Sequence, residues 1–308
     1  MSRFARSQAP GEPERSTIPP GRGRSPIGRR IVVVAVLAVV VAVLAAVLTD
    51  TVGAIVGEQR FAHALLASPR VTFEPEVTLS GSPYLRAAAS GRFDGAVITA
   101  RAVSVPGCAD RGGCRAELGA TLGPLDVPDG WHIRPSDTLR AQSVDAYTRL
   151  DTIALGRMLG ILDLTVNTPA PTDRAGGGGP GDGLLSRTSG VLLTGTVALP
   201  PAAGRDPADP PSASAYVGRK ARVSVSVDLS VRDGRLHLQA TDFYDGPEEH
   251  SPTTVPDTER AAVLAAFSGT LPPLPLPWSL TATEAHSEGS DILLATSVGA
   301  RDIRPDQF

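Results

Sequence analysis

A chain of 308 residues with 29 basic and 32 acidic side chains carries a formal net charge of −3, and this balance excludes the broad basic surface that nucleic-acid phosphates demand. Two cysteines and five histidines, with no H-x-x-x-H pair and no His beside a Cys, leave no sequence-encoded metal motif, and no metal or other cofactor is expected. No G-x-S-x-G, H-E-x-x-H or G-x-G-x-x-G element is present, so no catalytic residue is assigned and no enzyme is expected.

In chain order, residues 1–30 form a tail expected to be disordered, with seven Arg against Glu12 and Glu14. The run Ile31–Leu48 (IVVVAVLAVVVAVLAAVL) follows without a charge, Gly or Pro. Eighteen helical residues rise about 27 Å, close to the ~30 Å hydrocarbon core of a bilayer. The Arg excess on its N-terminal flank places the tail in the cytoplasm and residues 49–308 outside it, in a single-pass arrangement at the cell membrane. A cleavable signal peptide has a shorter apolar region, about 7–15 residues. A retained anchor is therefore the preferred reading, although Ala45-Ala46 supplies the small residues that a cleavage site uses. The 29 basic residues less the tail's seven, set against the 32 acidic less its two, leave the outer domain at −8. Bulk charge would not draw such a domain to anionic headgroups.

Thr51–Ser68 places Val52, Ile55, Val56, Ala62, Leu65 and Leu66 at helical spacing, predicting an amphipathic helix directly after the span. Val71–Leu79 and Ala96–Val105 read as strands. Cys108 and Cys114, in PGCADRGGC, are expected to form a disulfide in an oxidising compartment. Asp151–Leu162 and Asp257–Ser268 each open with an acidic cap and predict helices. Leu192–Leu199 predicts a strand, as do Leu280–His286 and Ile292–Val298. Arg222–Val231 alternates throughout and continues past an Asp233-Gly234 turn into Leu236–Ala240, a β-hairpin. Residues 174–183 and 200–216 are loops by composition; the Gly176–Gly179 run lacks the Lys-Ser or Lys-Thr of a phosphate loop. The fold class is α+β: one transmembrane helix, then a curved antiparallel sheet packed on a few helices.

The segment Pro75–Ala102 (PEVTLSGSPYLRAAASGRFDGAVITARA) contains Gly81, Pro83, Tyr84 and Leu85, then Gly91, Arg92, Phe93 and Asp94 before a strand. It resembles the G-x-P-[FY]-L…G-R-[FY]-[DE] opening of the LmeA-type actinobacterial phospholipid-binding family. Asp151–Ile161 resembles that family's later helix, and the chain end, with its Pro-Leu-rich approach to Trp278, is also similar. The resemblance implies a cell-envelope domain with a tubular lipid-binding fold, no catalytic residues, and phospholipid or glycolipid acyl chains as partners. Tyr84, Leu85, Phe93 and Trp278 are the residues expected at the lipid, or alternatively in the core. An envelope protein–protein scaffold and an enzyme acting on lipid-linked sugars are the competing readings.

Overall fold

The computed structural model describes residues 26–108, 112–168, 190–199, 219–246 and 250–308. Nearly all of the predicted tail and both predicted loops, 174–183 and 200–216, lie outside the described residues. Two compact units emerge, one ending at Thr49 and one running from Asp50 to Phe308.

The first element, helix α1 (Pro26–Leu65), contains the whole apolar run. None of the residues of the apolar window is buried, and Val34, Leu37 and Leu44 are among its exposed side chains. In water this exposure would be strongly unfavourable; in hydrocarbon it is the expected state.

The second unit is built from antiparallel pairs. Strand β1 (Glu76–Ser80) is followed by helix α2 (Tyr84–Ser90), the short β2 (Arg92–Phe93) and the long β3 (Gly95–Val105). Next come β4 (Cys114–Leu122), β5 (Leu125–Asp126), β6 (Leu139–Ala141) and β7 (Val144–Leu150), then helix α3 (Thr152–Leu159). After these lie β8 (Thr165–Asn167), β9 (Gly190–Ala198), β10 (Lys220–Arg232) and β11 (Arg235–Phe243), then helix α4 (Asp257–Ala266). The chain closes with β12 (Gly269–Thr270), β13 (Glu284–Glu288), β14 (Asp291–Val298) and β15 (Arg301–Ile303).

The strands form three antiparallel sheets, which with the few helices make up the expected α+β fold. Their orders are β1-β3-β4-β7-β14-β13, β12-β11-β10-β9-β8 and β15-β6-β5-β2. Register shifts break the ladder between Ala100 and Val103 in β3 and between Ser226 and Val227 in β10. Such bulges sharpen local twist and bend a strand. The predicted hairpin is β10–β11, with Arg232 opposite Arg235 across the Asp233-Gly234 turn. Its alternation decides burial as expected: Val223, Val225, Val227 and Leu229 are interior. Asp151 caps α3 by accepting from the Ala154 amide at 2.7 Å, which satisfies one of the helix's orphan donors. Cys108 and Cys114 are joined, with Cα atoms 5.4 Å apart.

The predicted strand at Val71–Leu79 is shorter in the structure, Glu76–Ser80, because Pro75 cannot donate to a ladder. Strands β4 and β7 were not anticipated. In β4 (CRAELGATL) Ala, Gly and Glu hide the alternation behind weak strand propensity; pairing on both edges, with β3 and β7, overrides it. On the outer face of these strands, half-buried, Arg149 lies between Glu117 (3.5 Å) and Asp291 (3.5 Å). Asp291 is nevertheless held above the usual carboxylate range by burial, against the opposing pull of Arg149. The two carboxylates are thus engaged in an ion-pair ladder across β4, β7 and β14.

Candidate functional site

Helix α2 has no capping side chain of its own, since Pro83 precedes it. Its two leading amides are met from a distant part of the chain: Asp50, on α1, accepts from Tyr84 N at 3.0 Å and from Leu85 N at 2.8 Å. A carboxylate at this position also complements the positive end of the helix. The other end is closed by Gly91, whose amide donates back to Ala88 O. The first motif of the sequence is therefore a short helix clamped between α1 and the turn into β2.

This clamp sets the position of Tyr84. Its ring lies on Gly53 and Gly57 of α1, so close that a Cβ on Gly57 would stand 2.1 Å from the Tyr84 hydroxyl. The ring also meets Phe93 (centroids 5.9 Å, tilted) and Trp131 (6.3 Å, interplanar angle 83°). Tyr84 and Phe93 are buried, and Leu85 is half-buried against the core. Trp278 belongs to another cluster: its ring is edge-on to Phe308 at 5.2 Å and its indole N–H donates to Arg304 O at 3.1 Å. Of the four residues expected at the lipid, the structure groups Tyr84 with Phe93 as interior rings. No ring contact joins Trp278 to them among the described residues.

Burial raises the pKa of the Tyr84 phenol, partly offset by the nearby Arg60. Burial likewise raises that of Tyr147, aided by Glu117, whose carboxylate accepts from the Tyr147 hydroxyl at 3.0 Å. Both groups therefore hold their protons more tightly when folded than when unfolded. Their contribution to stability is complete below the unfolded value, about 10, and is lost as pH rises through the raised folded values, because the unfolded chain then binds fewer protons. A phenolate absorbance titration of the wild type and of Tyr84→Phe and Tyr147→Phe should assign late ionisation to these two positions, whose contribution to the unfolding free energy falls only above about pH 10. Two early, normal titrations at these positions, obtained by Phe substitution one at a time, would contradict the burial.

Beside the Tyr84 cluster a groove of about 430 Å³ lies between α1 and the connection from β5 to β6. One wall is Val56, Gln59, Arg60, His63 and Ala64; the other is Ile133, Arg134 and Pro135. The volume falls within the range of small-molecule sites, about 300–1,000 Å³. Val56, Ala64, Ile133 and Pro135 make its surface mainly aliphatic, while Arg60 and Arg134 bring two guanidinium groups to it. The Arg60 guanidinium donates to Trp131 O, fastening one wall to the other. Two aspartates stiffen the facing loop. Asp129 accepts from Trp131 N at 3.0 Å and Asp137 from Arg134 N at 2.8 Å. The Trp131 amide is the main cause holding the Asp129 carboxyl below its usual range. The arrangement suits an amphiphile, with apolar wall for a chain and cations for an anionic head.

The LmeA-like phospholipid-binding family model matches residues 48–297 of the chain. The chain belongs to that family. No curated protein and no solved structure matches it. Membership supports lipid binding and is consistent with a non-catalytic role. In this family member no cluster of three or more His, Cys, Asp or Glu is placed to hold a metal ion among the described residues.

A second cleft, about 390 Å³, is lined by Thr165, Asn167, Thr194, Arg222, His250, Ser251 and Pro252. Its surface is about half polar, and Arg222 is engaged by Asp163 at 3.0 Å. Such a surface would leave methylenes against polar groups, so the α1 groove is the better candidate for a lipid chain. Sequence reasoning missed the groove's residues, although WHIRP at 131–135 is a visible apolar and basic island between Gly130 and Ser136.

Proposed function

We propose that this protein is held in the cell membrane by Ile31–Leu48, with its N-terminus cytoplasmic. Its domain from residue 49 onward lies outside the cytoplasm and binds a phospholipid or related envelope glycolipid without catalysis. Support for the anchor comes from the uncovered apolar helix and the Arg-rich flank before it. The observation that carries the binding reading is the aliphatic groove between α1 and residues 133–135, bearing Arg60 and Arg134, in a member of a phospholipid-binding family. One acyl chain would enter the groove, and the phosphate would meet the two guanidinium groups. Each methylene withdrawn from water contributes about 0.8 kcal/mol, so a chain segment of ordinary length can bind without help from bulk charge. Tyr84 and Phe93 act beneath the wall, as the packing that fixes α1 against α2. Trp278 does comparable work in its own cluster, and Leu85 borders the core.

The test is lipid content. Residues 50–308, purified without detergent, should release near-stoichiometric phospholipid or glycolipid on organic extraction and mass spectrometry. Val56→Phe adds bulk at a groove residue that is 36% exposed, so it should fill the groove without entering the core and strip most of that lipid. Wild-type protein free of lipid, or Val56→Phe retaining the full amount, would overturn the assignment.

A further inference from the structure

Exposed apolar surface on α1 continues beyond the groove's Val56. One turn earlier on the same side of α1 stands Val52, since residues four apart are neighbours on a helix surface. Val52 and Ile55 are each 58% exposed, and Trp131, beside the opposite wall, is 39% exposed. Isolated exposed apolar side chains are ordinary. This group is different because it adjoins the groove and is rigidly presented. The Trp131 main chain is held by Asp129 and Arg60, and its ring rests edge-on against Tyr84.

From these observations we propose that the domain rests on the bilayer surface through Val52, Ile55 and Trp131. The groove then fills from, and empties into, the leaflet to which the chain is tethered. The inference rests on the anchored, lipid-binding reading above. Chain length makes a bilayer the natural occupant. Val52 follows Leu48 by four residues and Ile55 by seven, so both lie within the first two helical turns after the apolar run. The headgroup layer begins where that run leaves the hydrocarbon and is about 5–7 Å deep on each side. An indole is the ring that favours this layer.

Local charge on this face is mixed, with Arg60 and Arg134 set among Asp50, Glu58, Asp129 and Asp137. The acids of this stretch are engaged with the protein's own amides: Asp50 with Tyr84 and Leu85, and Glu58 with the Leu79 amide at 3.0 Å. Arg60 and Arg134 remain beside the apolar group, where they can meet lipid phosphates. The contact therefore rests on the apolar group and not on bulk charge.

The chain's two tryptophans provide the measurement. Trp278 is interior, 6% exposed, so contact quenching by lipid reports on Trp131. The full-length chain is reconstituted into vesicles of phosphatidylcholine and phosphatidylglycerol brominated at shallow or deep acyl positions. The expected result is quenching of the Trp131 share of emission, stronger with the shallow label, and its disappearance in Trp131→Phe. Val52→Asn combined with Ile55→Asn should abolish quenching, whereas the groove-filled Val56→Phe should keep it. Both Asn positions are exposed, so folding is unaffected, which circular dichroism checks. Unquenched wild-type emission would overturn the proposal, as would quenching that vanishes with Val56→Phe and survives the Asn pair; the latter would place the label in the groove and not at the surface. A second copy or another protein covering this face would also leave Trp131 unquenched. Failure of the lipid-binding reading shows separately, as absence of extractable lipid from the wild-type domain.

Discussion

Gly91→Ala is expected to destabilise the domain by about 2–5 kcal/mol, enough to remove a large part of an ordinary domain's stability. Gly91 closes α2 at φ 65, a left-handed conformation that costs other L-residues about 1–2 kcal/mol. An added Cβ would also stand 2.4 Å from the Val127 carbonyl oxygen. That contact cannot open by a side-chain rotation, because both partners are backbone and are already tied: the Val127 amide donates to Gly91 O at 2.7 Å. Relief would have to separate β2 from β5, whose pairing places Arg92 opposite Asp126. Thermal and denaturant unfolding of the full-length chain in micelles would read the loss. Gly299→Ala is the control, since its Cβ would meet nothing within 4 Å, and it should change stability by no more than about 0.5 kcal/mol. Equal stability of the two variants would show that the β2–β5 junction is not held as described.

The second large effect is a reversal of sign. Gly→Ala inside a helix ordinarily stabilises by about 1 kcal/mol. At Gly57 the new methyl would meet the Tyr84 hydroxyl at 2.1 Å and the ring carbons Cζ and Cε2 at 2.6 and 2.8 Å. Tyr84 is buried between α1, Phe93 and Trp131, so its ring has no empty space to enter. Overpacking of this kind costs about 1–3 kcal/mol, and Gly57→Ala is therefore expected to destabilise by up to about 2 kcal/mol after the propensity gain. In a Tyr84→Leu background the same substitution should cost close to nothing or stabilise. A double-mutant cycle measures that coupling directly. Additive effects would mean that Tyr84 does not lie on Gly57. Because Tyr84 supports Trp131, and Trp131 O receives Arg60, Gly57→Ala should also lower the lipid carried by the purified domain.

Both residues bear on how much of this protein is legible before it folds. The alternation in Arg222–Val231 and its Asp233-Gly234 turn translate directly into β10–β11, because one buried face and one turn decide that hairpin locally. Asp151 and Asp257 mark helix starts within a residue of the observed ones for the same reason. The stripe after the apolar run is interior at only two of its six positions. Ala62 and Leu65 are interior, but Val52, Ile55, Val56 and Leu66 are exposed. Small residues, Gly53 and Gly57, face the protein instead, since only they admit the Tyr84 ring. Hydrophobic periodicity scores large side chains and is blind to a glycine face that packs by absence. The groove was hidden for a related reason. It joins Val56–Ala64 to Ile133–Pro135, about seventy residues apart in the chain, and no local pattern encodes that meeting.

By itself the sequence determined the uncharged run and its basic flank, the strand-rich and acidic composition of the remainder, and the G-x-P-Y-L…G-R-F-D signature. These are properties of consecutive residues, set by local hydropathy, charge and backbone preference. Only the tertiary structure decided that Asp50 caps α2 across the fold and that Tyr84 and Phe93 support the site from within. It also brought Arg60 and Arg134 together beside an aliphatic groove. Each of those results depends on contacts between distant segments, where close packing selects partners by shape and sequence order carries no record of the choice.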